Sequence, residues 1–122
     1  MRRILFLLFI TIIFAQEGAR YLIITYDNFY PAIKELADWK TKKGVLAKVV
    51  KLSEIGGNNA TSIKNYIINA YNNWPIRPEY VLLVGYPNLL TSYYDNSYRI
   101  YSDNWFFDIN NDNKADIPYG RF

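Results

Sequence analysis

The sequence has 122 residues, a length that corresponds to one domain or part of one. It contains no histidine and no cysteine, which excludes from these residues any nucleophile pair or metal site that uses imidazole or thiolate. The formal net charge is +3, but Arg2 and Arg3 belong to a targeting pattern, and without them it falls to +1. This balance leaves no basic stripe and therefore does not indicate a nucleic-acid partner.

Residues 1–15 have the layout of a secretory signal peptide. Two arginines precede a run of eleven residues, ten of them apolar and one a threonine, and Ala15 supplies a small residue at the end. As a helix, this run would rise about 16 Å, well short of the roughly 30 Å hydrocarbon core, so we expect no stable membrane anchor. We therefore predict cleavage after Ala15, export of the chain to the periplasm, the cell surface or the medium, and a mature portion over residues 16–122.

The mature portion is predicted to alternate strands and helices. Strands are expected over residues 21–26, 45–52 and 79–84, with helices over residues 29–43 and from residue 61 or 62 to residue 74. Asp27 and Asn28 are candidate N-caps of the first helix, and Gly44 is its candidate C′ residue. Strands joined by helices of this length pair in parallel through right-handed crossovers. The expected fold class is a doubly wound α/β sandwich, with ligands at the carboxyl ends of the strands.

Residues 86–107 form a long aromatic segment that we predict to be irregular. Such connections are usually functional or cover another part of the domain. Tyrosines that pack onto the sheet edge are a more common outcome than a carbohydrate or peptide site. Within this segment Asp103, beside Ser102, is a candidate calcium or substrate contact or a surface cap. Residues 117–122 are predicted to form a further strand.

The acidic loop after this segment has the spacing of a calcium loop. Positions 1, 3, 5, 7 and 9 would be supplied by Asp108, Asn110, Asp112, the Lys114 carbonyl and Asp116. The loop departs from an EF-hand because Asn113 replaces the glycine at position 6 and Tyr119 replaces the glutamate at position 12. Two interpretations remain open: a calcium loop flanked by strands, in which the cation relieves repulsion among three carboxylates, or a polar hairpin turn that binds only its own backbone.

A series of short segments runs through the mature portion: residues 21–25 (YLIIT), 37–40 (ADWK), 43–44 (KG), 53–56 (SEIG), 63–67 (IKNYI), 70–71 (AY), 74 (W), 78–85 (PEYVLLVG), 102–103 (SD), 116–117 (DI) and 120–122 (GRF). Together they resemble the amino-terminal part of the catalytic domain in gingipain-type cysteine peptidases, peptidase family C25. Their order and spacing carry the resemblance jointly. One departure is Tyr86, which stands where the family pattern leads us to expect an acidic residue.

The resemblance implies a caspase-like α/β sandwich, incomplete at its carboxyl end, and a secreted endopeptidase that acts on proteins or peptides. It also implies calcium as a structural ion. In that family the catalytic histidine and cysteine follow the strand that contains the Gly-Arg-Phe segment, so no residue of this chain is assigned a catalytic role. The alternative is a secreted, non-enzymatic calcium-binding α/β module that acts in surface binding or assembly.

Overall fold

The computed structural model describes residues 18–122, so the predicted signal peptide lies outside the described residues. The strands are β1 (Tyr21–Thr25), β2 (Ala47–Lys51), β3 (Tyr80–Val84), β4 (Tyr93–Asp95), β5 (Ile100–Ser102) and β6 (Tyr119–Arg121). The helices are α1 (Tyr30–Lys42), α2 (Ala60–Asn73) and the short α3 (Asn104–Phe107), with 3₁₀ turns at Asp27–Phe29 and Leu52–Ile55.

Four of the strands form one parallel sheet in the order β2-β1-β3-β6. Strand β1 lies in the middle and pairs with β2 from Tyr21↔Ala47 onward and with β3 from Tyr21↔Tyr80 onward. The order reverses between β1 and β3, as in doubly wound sheets. The predicted α/β fold class with a parallel sheet is therefore confirmed.

The two faces of the sheet are covered unequally. The larger core lies between the sheet and α2 with α3, and its fully buried side chains include Leu22, Ile24, Ile67 and Phe106. The smaller core lies under α1, around Ile23, where partly buried side chains complete the packing. Because β1 is buried on both faces, its sequence is a continuous apolar run and does not alternate.

The ends of the two long helices follow local rules with one exception. Gly44 has φ +96° after α1, which confirms it as the C′ residue. Asn59 caps α2 by accepting a hydrogen bond from the amide of Ser62. The predicted caps Asp27 and Asn28 are wrong, because a 3₁₀ turn precedes α1 and its N-cap position has no side-chain cap bond.

The aromatic segment is more ordered than predicted. It contains the antiparallel hairpin of β4 and β5, followed by α3. The stacked rings of Tyr93 and Trp105, 4.0 Å apart, join the hairpin to the helix. Three-residue strands give too few positions for an alternating pattern, so the sequence signal for this hairpin is weak.

The helical spacing of apolar residues in α1 predicts a wider buried face than the structure shows. Trp39 remains 55% exposed, with the ammonium groups of Lys40 and Lys43 each 5.9 Å from its ring centroid. Phe29 is also exposed, at the edge of the sheet.

In the described residues, no helix combines the length and hydropathy needed to cross a bilayer.

Because α2 packs one face against the sheet, truncation of two neighbouring isoleucines should lower the stability of the protein by different amounts. Ile67 is fully buried, whereas Ile68 is only partly buried. Ile67→Ala should lower the free energy of unfolding by about 2–5 kcal/mol, because it removes buried methyl groups and leaves a cavity. Ile68→Ala is the matched control and should cost less than half as much. Urea denaturation of both variants tests this, and equal losses would contradict the described face of α2.

Candidate functional site

The acidic loop is held at both ends by buried side chains. Before it, α3 buries Phe106 and Phe107 in the main core, and after it Ile117 is almost fully buried. The amide of Asp116 donates to the carbonyl of Phe107 at 2.8 Å, which closes the base of the loop. The loop therefore projects from a fixed base that lies beside the sheet.

Three carboxylates of this loop converge. One oxygen from each of Asp108, Asp112 and Asp116 lies within 4.8 Å of the other two. Calcium binds oxygens at 2.3–2.6 Å, so two ligands on opposite sides of one ion are about 5 Å apart. The spacing of the three carboxylates fits a single calcium ion.

The remaining predicted ligands lie in the same turn. The Asn110 side-chain oxygen accepts the amide of Asp112 at 3.3 Å, and the Lys114 amide donates to Asp112 Oδ1 at 3.0 Å. Asn111 and Asn113 have φ values of +59° and +66°, a region that asparagine enters more readily than most residues. Asn113 thus adopts the left-handed conformation at the place where an EF-hand has glycine.

Backbone amides of the loop also point toward the carboxylates. Asp108, 5% exposed, accepts the amides of Asp112 and Asn113 at 3.1 and 2.9 Å, and Asp116 Oδ2 accepts the amides of Ile109 and Asn110 at 2.7 and 3.3 Å. These bonds agree with one part of the polar-turn interpretation, because the side chains of the loop accept hydrogen bonds from its own backbone. The hairpin itself is wrong, because the loop connects α3 to a parallel strand.

A lysine that the sequence did not single out lies near this loop. Lys64 of α2 is 8% exposed, and its ammonium group is 4.1 Å from the ring centroid of Trp105. Desolvation lowers the pKa of Lys64, and the charge of Asp108 opposes that shift. The loop thus has a protein cation beside its most buried carboxylate. Since Lys64 occupies an otherwise apolar face of α2, helical periodicity predicts that face but not this charge.

The carboxyl edge of the sheet carries a second set of polar contacts. Asp27, after β1, accepts the amide of Ser53, after β2, at 3.1 Å, and hydrogen bonds from Ser53 lower the pKa of this carboxyl group. Asn58 accepts the amide of Thr91 at 2.8 Å. The connections that follow β1, β2 and β3 are therefore joined in series by side chains that accept backbone amides.

Asp103 has a different role from those considered in the sequence. It forms a bidentate ion pair with Arg121, with contacts of 2.6 and 2.8 Å, and both side chains are mostly buried. Asp103 thus neither caps the surface nor lies among the three clustered carboxylates. The partners are 18 residues apart in sequence, and no short motif indicates such a pair.

An apolar concavity of about 360 Å³ lies at the same edge, near the point where the strand order reverses. Its walls are Phe29, Ala32, Ile33, Val84, Gly85, Tyr86 and Phe122. Gly85 has φ +139°, a conformation that disfavours residues with a side chain. Tyr86 and Phe122 are largely exposed and form the outer wall.

Comparisons with known proteins identify the family of this arrangement. The model of peptidase family C25 matches residues 14–122. The chain is 26% identical to a chain in the complex of Porphyromonas gingivalis RgpB pro- and mature domains, with a TM-score of 0.76 over 84% of this chain. The Arg specific cysteine proteinase gingipain R (RGPB) gives the same identity and TM-score over 86%. No curated protein matches.

A third solved chain, described as a protease, is 23% identical with a TM-score of 0.74 and supports the fold alone. The present chain spans 24% of the length of each of these three solved chains. The family match nevertheless covers all of the described residues and agrees with the parallel sheet. The chain belongs to peptidase family C25.

Proposed function

We propose that this chain forms the amino-terminal part of the catalytic domain of an exported cysteine endopeptidase. The family match over residues 14–122 is the observation that carries the proposal. As the family resemblance implies, peptide-bond hydrolysis would use a cysteine thiolate and a histidine beyond Phe122; this chain contains neither residue. The contribution of this chain would be a rigid parallel sheet that supports the catalytic part of the protein.

Export is proposed from the amino-terminal pattern. The arginines, the short apolar run and Ala15 support a signal peptide over residues 1–15. Proteins or peptides outside the cytoplasm would then be the substrates, and neither nucleic acid nor a stable membrane anchor is part of the proposal. The net charge of +1 after cleavage supports the omission of nucleic acid as a partner.

We also propose that the acidic loop binds structural calcium. The carboxylates of Asp108, Asp112 and Asp116 would be ligands, with Asn110 and the Lys114 carbonyl as further oxygen donors. Bound calcium would neutralise negative charge that the loop otherwise concentrates on three neighbouring side chains. The proposal is supported by the three carboxylate oxygens, which lie within 4.8 Å of one another. All of the proposed ligand atoms are oxygens, as calcium prefers.

The peptidase proposal predicts thiol-dependent proteolysis by the full-length protein. Purified protein should cleave a denatured protein substrate, and alkylation of thiols with iodoacetamide should abolish the cleavage, because the thiolate is the nucleophile. The chain of residues 16–122, which has no thiol, should be inactive in the same assay and serves as the control. A full-length protein without proteolytic activity would contradict the proposal and favour a non-enzymatic binding module.

The calcium proposal predicts a cation-dependent increase in stability. Calcium should raise the melting temperature of the protein, because a ligand that binds only the folded state stabilises it increasingly as the ligand concentration exceeds Kd. Asp112→Asn should weaken calcium binding by about tenfold or more, since the charge count of the ligands sets the affinity. The amide oxygen of this variant can still accept the Lys114 amide, so the turn itself should persist.

Calorimetric titration with calcium chloride measures the affinity, and thermal unfolding with calcium or with a chelator measures the shift in melting temperature. Asp38→Asn is the matched control, because it makes the same change on exposed α1, where Asp38 pairs with Lys34. The control should bind calcium as the unmodified protein does. If neither calcium nor chelator shifts the melting temperature, the loop is a polar turn without a metal.

A further inference from the structure

Arg121 uses its whole guanidinium group inside the protein. Nε and Nη2 donate to Asp103, while Nη1 donates to the carbonyls of Gly85 and Leu90, each at 2.7 Å. Nη2 also contacts the Thr91 carbonyl at 3.4 Å and the Ser92 hydroxyl at 3.1 Å. The planar fork of arginine can make this set of contacts, whereas the point charge of lysine cannot.

Apart from Asp103, the acceptors of Arg121 belong to one loop, residues 85–92, which we call the β3 exit loop. Leu90 is fully buried and Ser92 is 8% exposed, so polar backbone groups at this end of the loop need partners inside the protein. The Ser92 hydroxyl donates in turn to Asp103 at 2.8 Å. Asp103 therefore neutralises Arg121 and orients one of its partners, which makes the three side chains a closed network.

The exit loop is also part of the substrate-facing side of the sheet, if the proposed function holds. Ligands of open α/β sheets bind outside the carboxyl ends of the strands, near the reversal of strand order. Gly85 and Tyr86, at the start of this loop, line the apolar concavity at the reversal between β1 and β3. Asn58 fixes the other end of the loop through Thr91.

We propose that Arg121 is a positioning residue that holds the β3 exit loop in the conformation required to bind the peptide substrate. This inference rests on the proposed peptidase function. Arg121 does not contact the substrate, because its donors are already bound to Asp103 and to the loop. Its effect on the reaction passes through the backbone of residues 85–92, whose first two residues, Gly85 and Tyr86, line the concavity.

The test compares Arg121→Lys with Arg20→Lys in the full-length protein. Arg20 also forms a two-bond pair with a carboxylate, that of Glu79, but the pair is exposed and lies at the amino edge of the sheet. Hydrogen exchange should become at least about tenfold faster in residues 86–92 of Arg121→Lys, because hydrogen bonds to a charged group oppose local opening. Peptides from β1 should be unaffected, and Arg20→Lys should exchange as the unmodified protein does.

Peptidase kinetics provide the second measurement. Arg121→Lys should raise KM for a peptide substrate by about fivefold or more and leave kcat within about twofold, because a disordered wall weakens binding without altering the nucleophile. Asp103→Asn, which preserves the shape of the acceptor but removes its charge, should give an intermediate effect in both measurements. Arg20→Lys should leave both kinetic constants unchanged.

Each other outcome overturns a defined part of the inference. Unchanged exchange in the loop, or faster exchange of β1 as well, would show that Arg121 does not position the loop locally. Faster exchange of the loop with an unchanged KM would remove the loop from the substrate-binding surface. A full-length protein without thiol-dependent activity would overturn the proposed function and the role of the loop in it, while the exchange data would still decide whether Arg121 positions the loop.

Discussion

The structure depends on the double pairing of β1. Each of its five residues aligns with β2 on one side and with β3 on the other, and four of its side chains, those of Leu22, Ile23, Ile24 and Thr25, are fully buried. This central position forces the strand order to reverse beside it, which opens the carboxyl edge between the connections after β1 and β3. The candidate binding concavity and the exit loop both lie at that edge.

The acidic loop depends on the same sheet through a different route. It enters from α3, whose phenylalanines are buried in the main core, and leaves into β6, which pairs with β3. The stacked rings of Phe107 and Tyr119, 4.3 Å apart, connect its two ends directly. The three carboxylates are therefore brought together by packing at the base of the loop, and their mutual repulsion is opposed by backbone amides.

The sequence predicted the elements whose signals are local. The continuous apolar run of β1, the glycine after α1 and the calcium-loop spacing each depend on residues close together in the chain, and the structure brings the predicted carboxylates together. It could not predict the pair of Arg121 with Asp103 or the burial of Lys64, because these depend on contacts between distant segments. The hairpin of β4 and β5 was missed because strands of three residues carry almost no periodicity. Trp39 follows the apolar spacing of α1 and is nevertheless exposed, since spacing alone does not tell whether another element covers a helix.

The hydrogen bonds of Arg121 join segments that lie far apart in the chain. All of its partners precede it, by 18 to 36 residues, so the exit loop remains without its donors until the last residues of β6 are available. Strands β1, β2 and β3 all lie before residue 85, so their pairing does not require Arg121. Among the described residues, the connection that leaves β3 thus takes the donors that hold it from β6, the strand that comes latest in the chain.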